Sequence, residues 1–421
     1  MIAGGGIGGL TLALSLWQHG VDALVCESSQ VQGPVGVGIM LHPMAMRELT
    51  ALGLGDDLRR IGWSITRQNF ISAHGQPIWD EASGAVAGYR WPQIAVHRGA
   101  LQLLLMETAR RRLGAKKVRT GLRLCTWRST ETGVIACFQR RDRAGHEDIE
   151  ATVLIGADGI NSACRQSLYP HEAPLIGNKR ALFRGVTMTP PPAGPNRSVA
   201  LGDSTRKLHA YPIGPTVDGL APINWIIDVP QDPAADPAAP GWTHAAAPEE
   251  AMRHLGGWSF PGLDVPGLVA AAPAIHVTAR VDRDPLPRWT MRRTTLIGDA
   301  AHPAQPVGAN ASTQAILDAR VLARELGVSV AADALQRYET ERRPQTERLV
   351  LANRAEGPDR VLNVVGARAP DGFKTIKDII SPRTLAAAAE GYRMLAGIDH
   401  VSVNRAAIIP VADPPPLVAV T

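Results

Sequence analysis

The chain has 421 residues, 45% of them hydrophobic, a formal charge of +5 and a mean hydropathy of -0.04. That composition excludes intrinsic disorder and is long enough for two or three domains or one large layered one. A pI of about 9.2 raises nucleic acid as a partner, but aromatics are only 5% and the basic residues are scattered, so the stacking surface of a single-strand binder is missing and a small anionic ligand suits the field better.

Met1 to Val21 carries no charged side chain, yet it opens on glycines without a basic leader and reads as folded protein rather than a signal peptide. No other stretch approaches the length of a membrane span. Cys26, Cys125, Cys137 and Cys164 lie far apart without a CxxC pair, which argues against a disulfide framework or a zinc site and for a reducing cytoplasm.

The first motif is Gly4-Gly5-Gly6-Ile7-Gly8-Gly9, a GxGxxG built on Gly4, Gly6 and Gly9. Alone it is weak, since three glycines at that spacing arise by chance about 0.4 times in such a chain. Its context is strong: an apolar helical run through Leu10, Leu12 and Leu16, then a strand over Val21 to Cys26 closed by the acidic Glu27. Glycines let the backbone approach a pyrophosphate, the helix start offers free N–H groups, and an acid at the next strand end accepts from ribose hydroxyls. Only three residues precede the loop, where a central strand has about five or six, so an upstream truncation is expected, at the end away from the ligand crevice.

Further along, Gly33, Gly36 and Gly38 lead to a helix with Met44, Leu49 and Leu52, ending at Gly53 or Gly55, and strands follow near Ser64 to Ala73. Arg98 opens a helix stopped by Gly114, with Arg110 to Arg112 in its last turn, where they complement the dipole. Lys117 to Thr126, Val134 to Asp142 and Ile149 to Ile155 read as three antiparallel strands. Between about Tyr169 and Asp284 come longer alternating strands, Ala181 to Met188, Lys207 to Ile213 and Ile223 to Val229, with two short helices and a Pro-rich connection over Pro230 to Pro248. From Thr294 a buried strand gives way to helices, Gln314 to Leu326 and Arg337 to Asn353, the latter kinked at Pro344, and the chain ends in a Pro-rich tail expected to be poorly ordered.

Two more clusters complete the pattern. Gly156-Ala157-Asp158-Gly159, running to Arg165, is a strand ending in an acid–glycine turn before a helix. Leu296-Ile297-Gly298-Asp299 delivers another carboxylate, and Pro306-Val307-Gly308-Ala309-Asn310 then feeds a helix start. Each alone is an ordinary strand-to-helix turn; all three in this order are not.

At these residues the sequence resembles the single-component FAD-dependent aromatic hydroxylases, the group of para-hydroxybenzoate hydroxylase. Phe183-Arg184-Gly185, Ala210-Tyr211-Pro212, Asn224-Trp225 and Val281-Asp282-Arg283-Asp284 are similar to its 5-methylphenazine-1-carboxylate 1-monooxygenase branch. The resemblance implies an α/β fold: a Rossmann-type FAD-binding domain with an inserted antiparallel-sheet substrate domain (α+β) and a helical C-terminus. The flavin layer takes segments 1–75, 98–168 and 285–365, the substrate layer 76–97 and 169–284, and a C-terminal region 366–421. It implies that Gly4, Gly6, Ile7 and Gly9 hold the pyrophosphate, Glu27 the ribose, and Val37, Gly38, Arg98, Asp158, Gly159, Arg165, Gly298, Asp299, Pro306, Gly308, Asn310 and Ala311 the rest of FAD. The backbone at Ser312 and Thr313 is the candidate for stabilising charge on the reduced flavin. Arg184, His209, Tyr211, Asn224 and Trp225 are candidates for the substrate pocket, although alternate residues face opposite sides. His302 reads as structural.

In that family NAD(P)H reduces FAD and dioxygen adds to give a C4a-hydroperoxide that hydroxylates an electron-rich, here anionic, ring. No metal, nucleic acid or membrane is implied, and the assembly is a monomer or homodimer in the cytoplasm. One departure stands out: the family's Gly-Ser-Asn-Gly is here Gly308-Ala309-Asn310-Ala311, so a positive φ at Ala311 would cost about 1 kcal/mol. Open alternatives are N-oxidation, epoxidation or Baeyer–Villiger chemistry on the same fold, a nicotinamide dehydrogenase, and a flavin-binding protein impaired by Ala311.

Overall fold

A computed structural model describes residues 1–30, 36–142, 144–231, 244–260, 262–329 and 331–410; the expected tail and most of the Pro230 to Pro248 connection, like Gly33, lie outside them. At its centre the two-residue strand Ile2–Ala3 pairs in parallel with Leu154–Gly156 on one side and Val25–Cys26 on the other, with Thr294–Leu296 and Val118–Arg119 outermost. Helix Ile7–Gln18 is apolar nearly all round because it is covered on both flanks, by Arg98–Leu113 and by Ala311–Val328. Gly114, at φ +97°, stops the Arg98 helix as its sequence requires.

Three expected strands divide differently. Val118–Arg119 joins the parallel sheet while Leu122–Ser129 turns away into an antiparallel sheet with Val134–Arg140 and His146–Ala151. Gly121, at φ +73°, makes that turn. The expected Ile149 to Ile155 strand likewise splits, its end becoming the parallel strand Leu154–Gly156. An unforeseen helix, Gly55–Ile61, follows Pro43–Ala51, and helix Ala331–Arg354 continues through Pro344.

The second layer is an eight-stranded sheet in the order His244–Ala246, Ile275–Asp282, Ile176–Thr189, Ala221–Pro230, Lys207–Pro212, Arg197–Gly202, Arg67–Ser72, Pro77–Ala82. Because Arg67–Ser72 belongs to it, the chain leaves the flavin layer before residue 75. One face buries Phe183, Trp225 and Ile227 against Trp258 and Val265. Near its far edge the other face packs Phe70, Ile78 and Ala200 against Leu362, Val365 and Leu385 of the C-terminal helices Arg360–Arg368 and Pro382–Ala396. Between this face, the C-terminal helices and the loop at Gly308 lies a cavity of about 1070 Å³.

Candidate active site

The glycine loop is shaped by what it lacks. A Cβ on Gly4, at φ +113°, would meet the Ala157 carbonyl carbon at 2.6 Å, and one on Gly9 would collide with the Gly4 carbonyl, so both glycines permit close packing of loop, helix and neighbouring strand. A Cβ on Gly6 would meet nothing within 4 Å: this glycine opens onto free space. The helix begins there, at Ile7, with no side-chain cap and no acid in its first turn, leaving amides available to an anion. Glu27 stands beside them, accepting from Gly5 N at 2.6 Å and Ser29 N at 2.7 Å.

Arg98 starts its helix by donating its backbone N–H to the Val37 carbonyl at 3.0 Å, and its guanidinium is exposed. One turn later Gln102 donates to the Gly5 carbonyl at 2.9 Å. No motif in the sequence marks Gln102; its position four residues after Arg98, on the same helix face, is the signal that finds it.

At the acid–glycine turn, Asp158 accepts from Ser162 Oγ and, at 3.1 Å, from Cys164 N, at the start of helix Ala163–Leu168. Burial pushes its carboxyl above the usual range. Gly159, at φ +78°, is open. Arg165 corrects the expectation: it is 1% exposed, paired with Glu172, and donates to the Ala300 and Ala301 carbonyls at 3.1 and 3.0 Å and to Asp284 O at 3.2 Å. Its donors are spent inside the protein, so it braces the loop after Asp299 from behind rather than reaching a cofactor.

The Gly298 loop is anchored by Asp318, whose carboxylate accepts from Gly298 N at 3.0 Å, His302 Nε2 at 2.5 Å and Arg342 Nε at 2.8 Å. Burial alone would raise that carboxyl, but His302 and Arg342 hold it down at about 2. His302, stacked on Trp289 at 5.3 Å, is thus structural. Asp299 faces outward, its carboxyl raised by the surrounding protein against the pull of His302 and Arg98.

In the next loop the left-handed residues are Gly308 (φ +67°) and Ala309 (φ +53°). Ala311 is the first residue of helix Ala311–Val328 and does not share that conformation. The strain expected there is therefore absent, and with it the physical ground for an impaired flavin site. Asn310 offers no side-chain cap, and the first intrahelical bond is Gln314 N to Asn310 O, so the amides of Ala311, Ser312 and Thr313 precede the ladder. Pro306 is exposed on the cavity wall with Gly308.

The pleat sorts the five substrate candidates. Trp225 is fully buried on the opposite face, its indole N–H on Thr187 Oγ1 at 3.0 Å, because its rung partner Gly185 leaves room for the ring. It is core, not pocket. Asn224 faces the flavin side but is locked to Gly38, accepting its N–H at 2.7 Å, and Tyr211 donates to the Gly38 carbonyl at 3.0 Å. Together they fix Gly38, where a Cβ would strike Asn224 at 2.6 Å. Tyr211 and His209 wall the cavity, and Asp359 accepts from His209 Nε2 at 3.0 Å. Arg184 lies beside that wall, following the liner Leu182 on the same strand face and paired across with the liner Ile226. Its Nε is buried without a hydrogen-bond partner, it forms no ion pair among the described residues, and burial lowers its pKa. Tyr392 and His42, also on the cavity wall, carried no sequence motif.

These groups fit FAD: an open glycine cradle at Gly6, free helix-start amides, an acid at the second strand end, an exposed Arg98, and a second uncapped helix start at Ala311. The profile of the FAD binding domain family matches residues 1–353. Phenazine 1,6-dicarboxylic acid hydroxylase PhzS of Lysobacter antibioticus is 41% identical over 408 residues, 95% of this chain and 98% of that one. The 3-amino-4-hydroxybenzoate 2-monooxygenase PtnB3 of Streptomyces platensis is 33% identical over 377 residues, covering 85% and 87%. Among solved structures, Klebsiella pneumoniae HpxO complexed with FAD and uric acid shares the fold at a TM-score of 0.74 and 22% identity, over 96% and 97% of the chains. No helix among the described residues is long and apolar enough to cross a membrane. The chain belongs to the FAD binding domain family and, within it, to the FAD-dependent aromatic hydroxylases, monooxygenases that take electrons from NAD(P)H.

Proposed function

We propose that this enzyme hydroxylates a planar, polycyclic aromatic acid of the phenazine type, in the cytoplasm, as a monomer or homodimer. The observation that carries this reading is Arg184: a half-buried arginine with a buried, unpartnered Nε, on the same strand face as the cavity liner Leu182 and paired across with the liner Ile226, at a cavity of about 1070 Å³. A buried donor without a partner is costly unless a ligand supplies one, and a carboxylate matches the guanidinium fork. The cavity is large for a single ring, and the relative from Lysobacter acts, by its name, on a phenazine diacid.

Bound FAD supplies the electron transfer and oxygen activation, chemistry the side chains do not have. The chain's own part is binding and placement. Gly4, Gly6 and Gly9 admit the pyrophosphate to the Ile7 helix start, Glu27 takes the ribose, and Arg98 and Asp299 flank the crevice. The uncapped amides of Ala311, Ser312 and Thr313 would present positive dipole to negative charge on the bound cofactor. Tyr211 and Asn224 hold Gly38 at the edge of the crevice, and Arg184 orients the acid while the apolar wall excludes water.

The test is NAD(P)H consumption, with product masses, across phenazine, quinoline and hydroxybenzoate acids, in the parent enzyme and Arg184→Ala. Phenazine acids are expected to be hydroxylated best and Arg184→Ala to raise their KM. A KM that does not move removes the anchor, and a preference for single-ring acids removes the substrate class.

A further inference from the structure

We propose that Tyr392, on the C-terminal helix Pro382–Ala396 and outside the matched residues 1–353, is the positioning residue of the flavin-side loop Gln305–Asn310. Its phenol donates to Asn353 Oδ1 at 3.0 Å and accepts from Asn310 Nδ2 at 3.1 Å. Asn353 in turn donates to the carbonyls of Gln305 at 3.0 Å and Val307 at 3.1 Å, and Asn310 Nδ2 also reaches the Gly308 carbonyl at 3.1 Å. One hydroxyl thereby ties together two buried amides that hold three carbonyls of the loop, those of Gln305, Val307 and Gly308.

Two glycines record the same contact sterically. A Cβ on Gly308 would lie 2.8 Å from Tyr392 Cζ and one on Gly357 3.0 Å from Cε2. These glycines come from separate parts of the chain and meet at one ring, which occupies the space a side chain would need. The loop requires holding: Gly308 and Ala309 are both left-handed, a conformation that alanine adopts only when its surroundings impose it. Burial raises the Tyr392 pKa, so the phenol keeps its proton and stays a donor to Asn353. Since the loop leads directly into Ala311, the phenol sets where the first amides of helix Ala311–Val328 point. This depends on FAD binding but not on the identity of the substrate.

Tyr392→Phe removes the hydrogen bonds and keeps the ring. In the FAD-free protein, amide hydrogen exchange across residues 305–313 should quicken while the rest of the chain is unchanged, and the Kd for FAD, read by flavin fluorescence, should rise about three- to tenfold, the change that one or two buried hydrogen bonds carry. In the holoenzyme more of the NAD(P)H electrons should leave as hydrogen peroxide, formed from dioxygen with two electrons and two protons, at the expense of product. Parental loop exchange and parental FAD affinity overturn the proposal, and so does a uniform rise in exchange over the whole chain, the mark of a purely structural residue. A second pair tests the steric half: Gly308→Ala should weaken FAD binding more in the parent than in Tyr392→Ala, and equal losses in both backgrounds overturn it.

Discussion

The two sides of the crevice use opposite materials. On the flavin side the contacts are backbone: Gly4 and Gly9 let chains touch, Gly6 and Gly159 leave space open, and two helix starts point uncapped amides outward. On the substrate side the contacts are side chains on a pleated sheet, and most are already occupied: Tyr211 and Asn224 by Gly38, His209 by Asp359. Arg184 and Asn224 each have a buried nitrogen without a partner, Nε and Nδ2, but the Arg184 side chain alone of the five makes no hydrogen bond among the described residues. A backbone site tolerates no added atoms, whereas a side-chain site loses only what each side chain holds.

That contrast is broken most severely at Gly4. Gly4→Ala combines φ +113° with a collision against Ala157, at a cost of about 2–4 kcal/mol. Purified protein is expected to be colourless, with a lowered Tm, and a yellow protein of parental Tm would show that the loop has more room than its geometry gives. Arg165→Met is expected to cost about 1–3 kcal/mol by leaving the Ala300 and Ala301 carbonyls unpaired and the half-buried Glu172 with Arg283 alone, measured by denaturant unfolding, without changing flavin affinity. A selective loss of FAD affinity would return Arg165 to the cofactor.

These two residues also show what was legible in the sequence. Gly4 could be read because a glycine motif, its helix and its acid lie within one short stretch, so local sequence carries the whole geometry. Arg165 lies in the right cluster but turns away from the crevice, because its partners Asp284 and Ala300 are brought to it only by the fold. Trp225 and Asn224 are neighbours that must face opposite ways; which one meets the crevice is decided by Gly185 on the next strand. Asp359 and Tyr392 carried no motif at all, since they act from helical segments whose pattern shows only packing. At Ala311 the family's glycine implies a left-handed turn that the chain makes two residues earlier, at Ala309.

A smaller effect sharpens the substrate side. Arg184→Ala should raise KM for an aromatic acid about tenfold or more, the loss of a charge-assisted contact, with a smaller change in kcat. Arg184→Lys should recover only part, because a point charge does not reproduce the fork. If the uncharged analogue of the same ring loses as much as the acid, Arg184 packs rather than pairs.

The least effect is expected at His209 and Asp359. Burial alone would lower the His209 pKa, but the Asp359 carboxylate raises it above 6.5, and although burial raises Asp359, His209 draws it below 3.8. The histidine's share of stability is fully present below 6.5 and is lost as pH rises through its raised pKa. The aspartate's share is present above 3.8 and is lost as pH falls through its lowered one. The pair therefore stabilises most between these ordinary values and fades on either side. Asp359→Asn should lower Tm by about 1–3 °C near pH 5.5, with the gap to the parent shrinking as pH rises above 7. A gap that stays constant from pH 5 to 9 would mean that Asp359 acts through packing, and that this wall of the cavity holds its shape without charge.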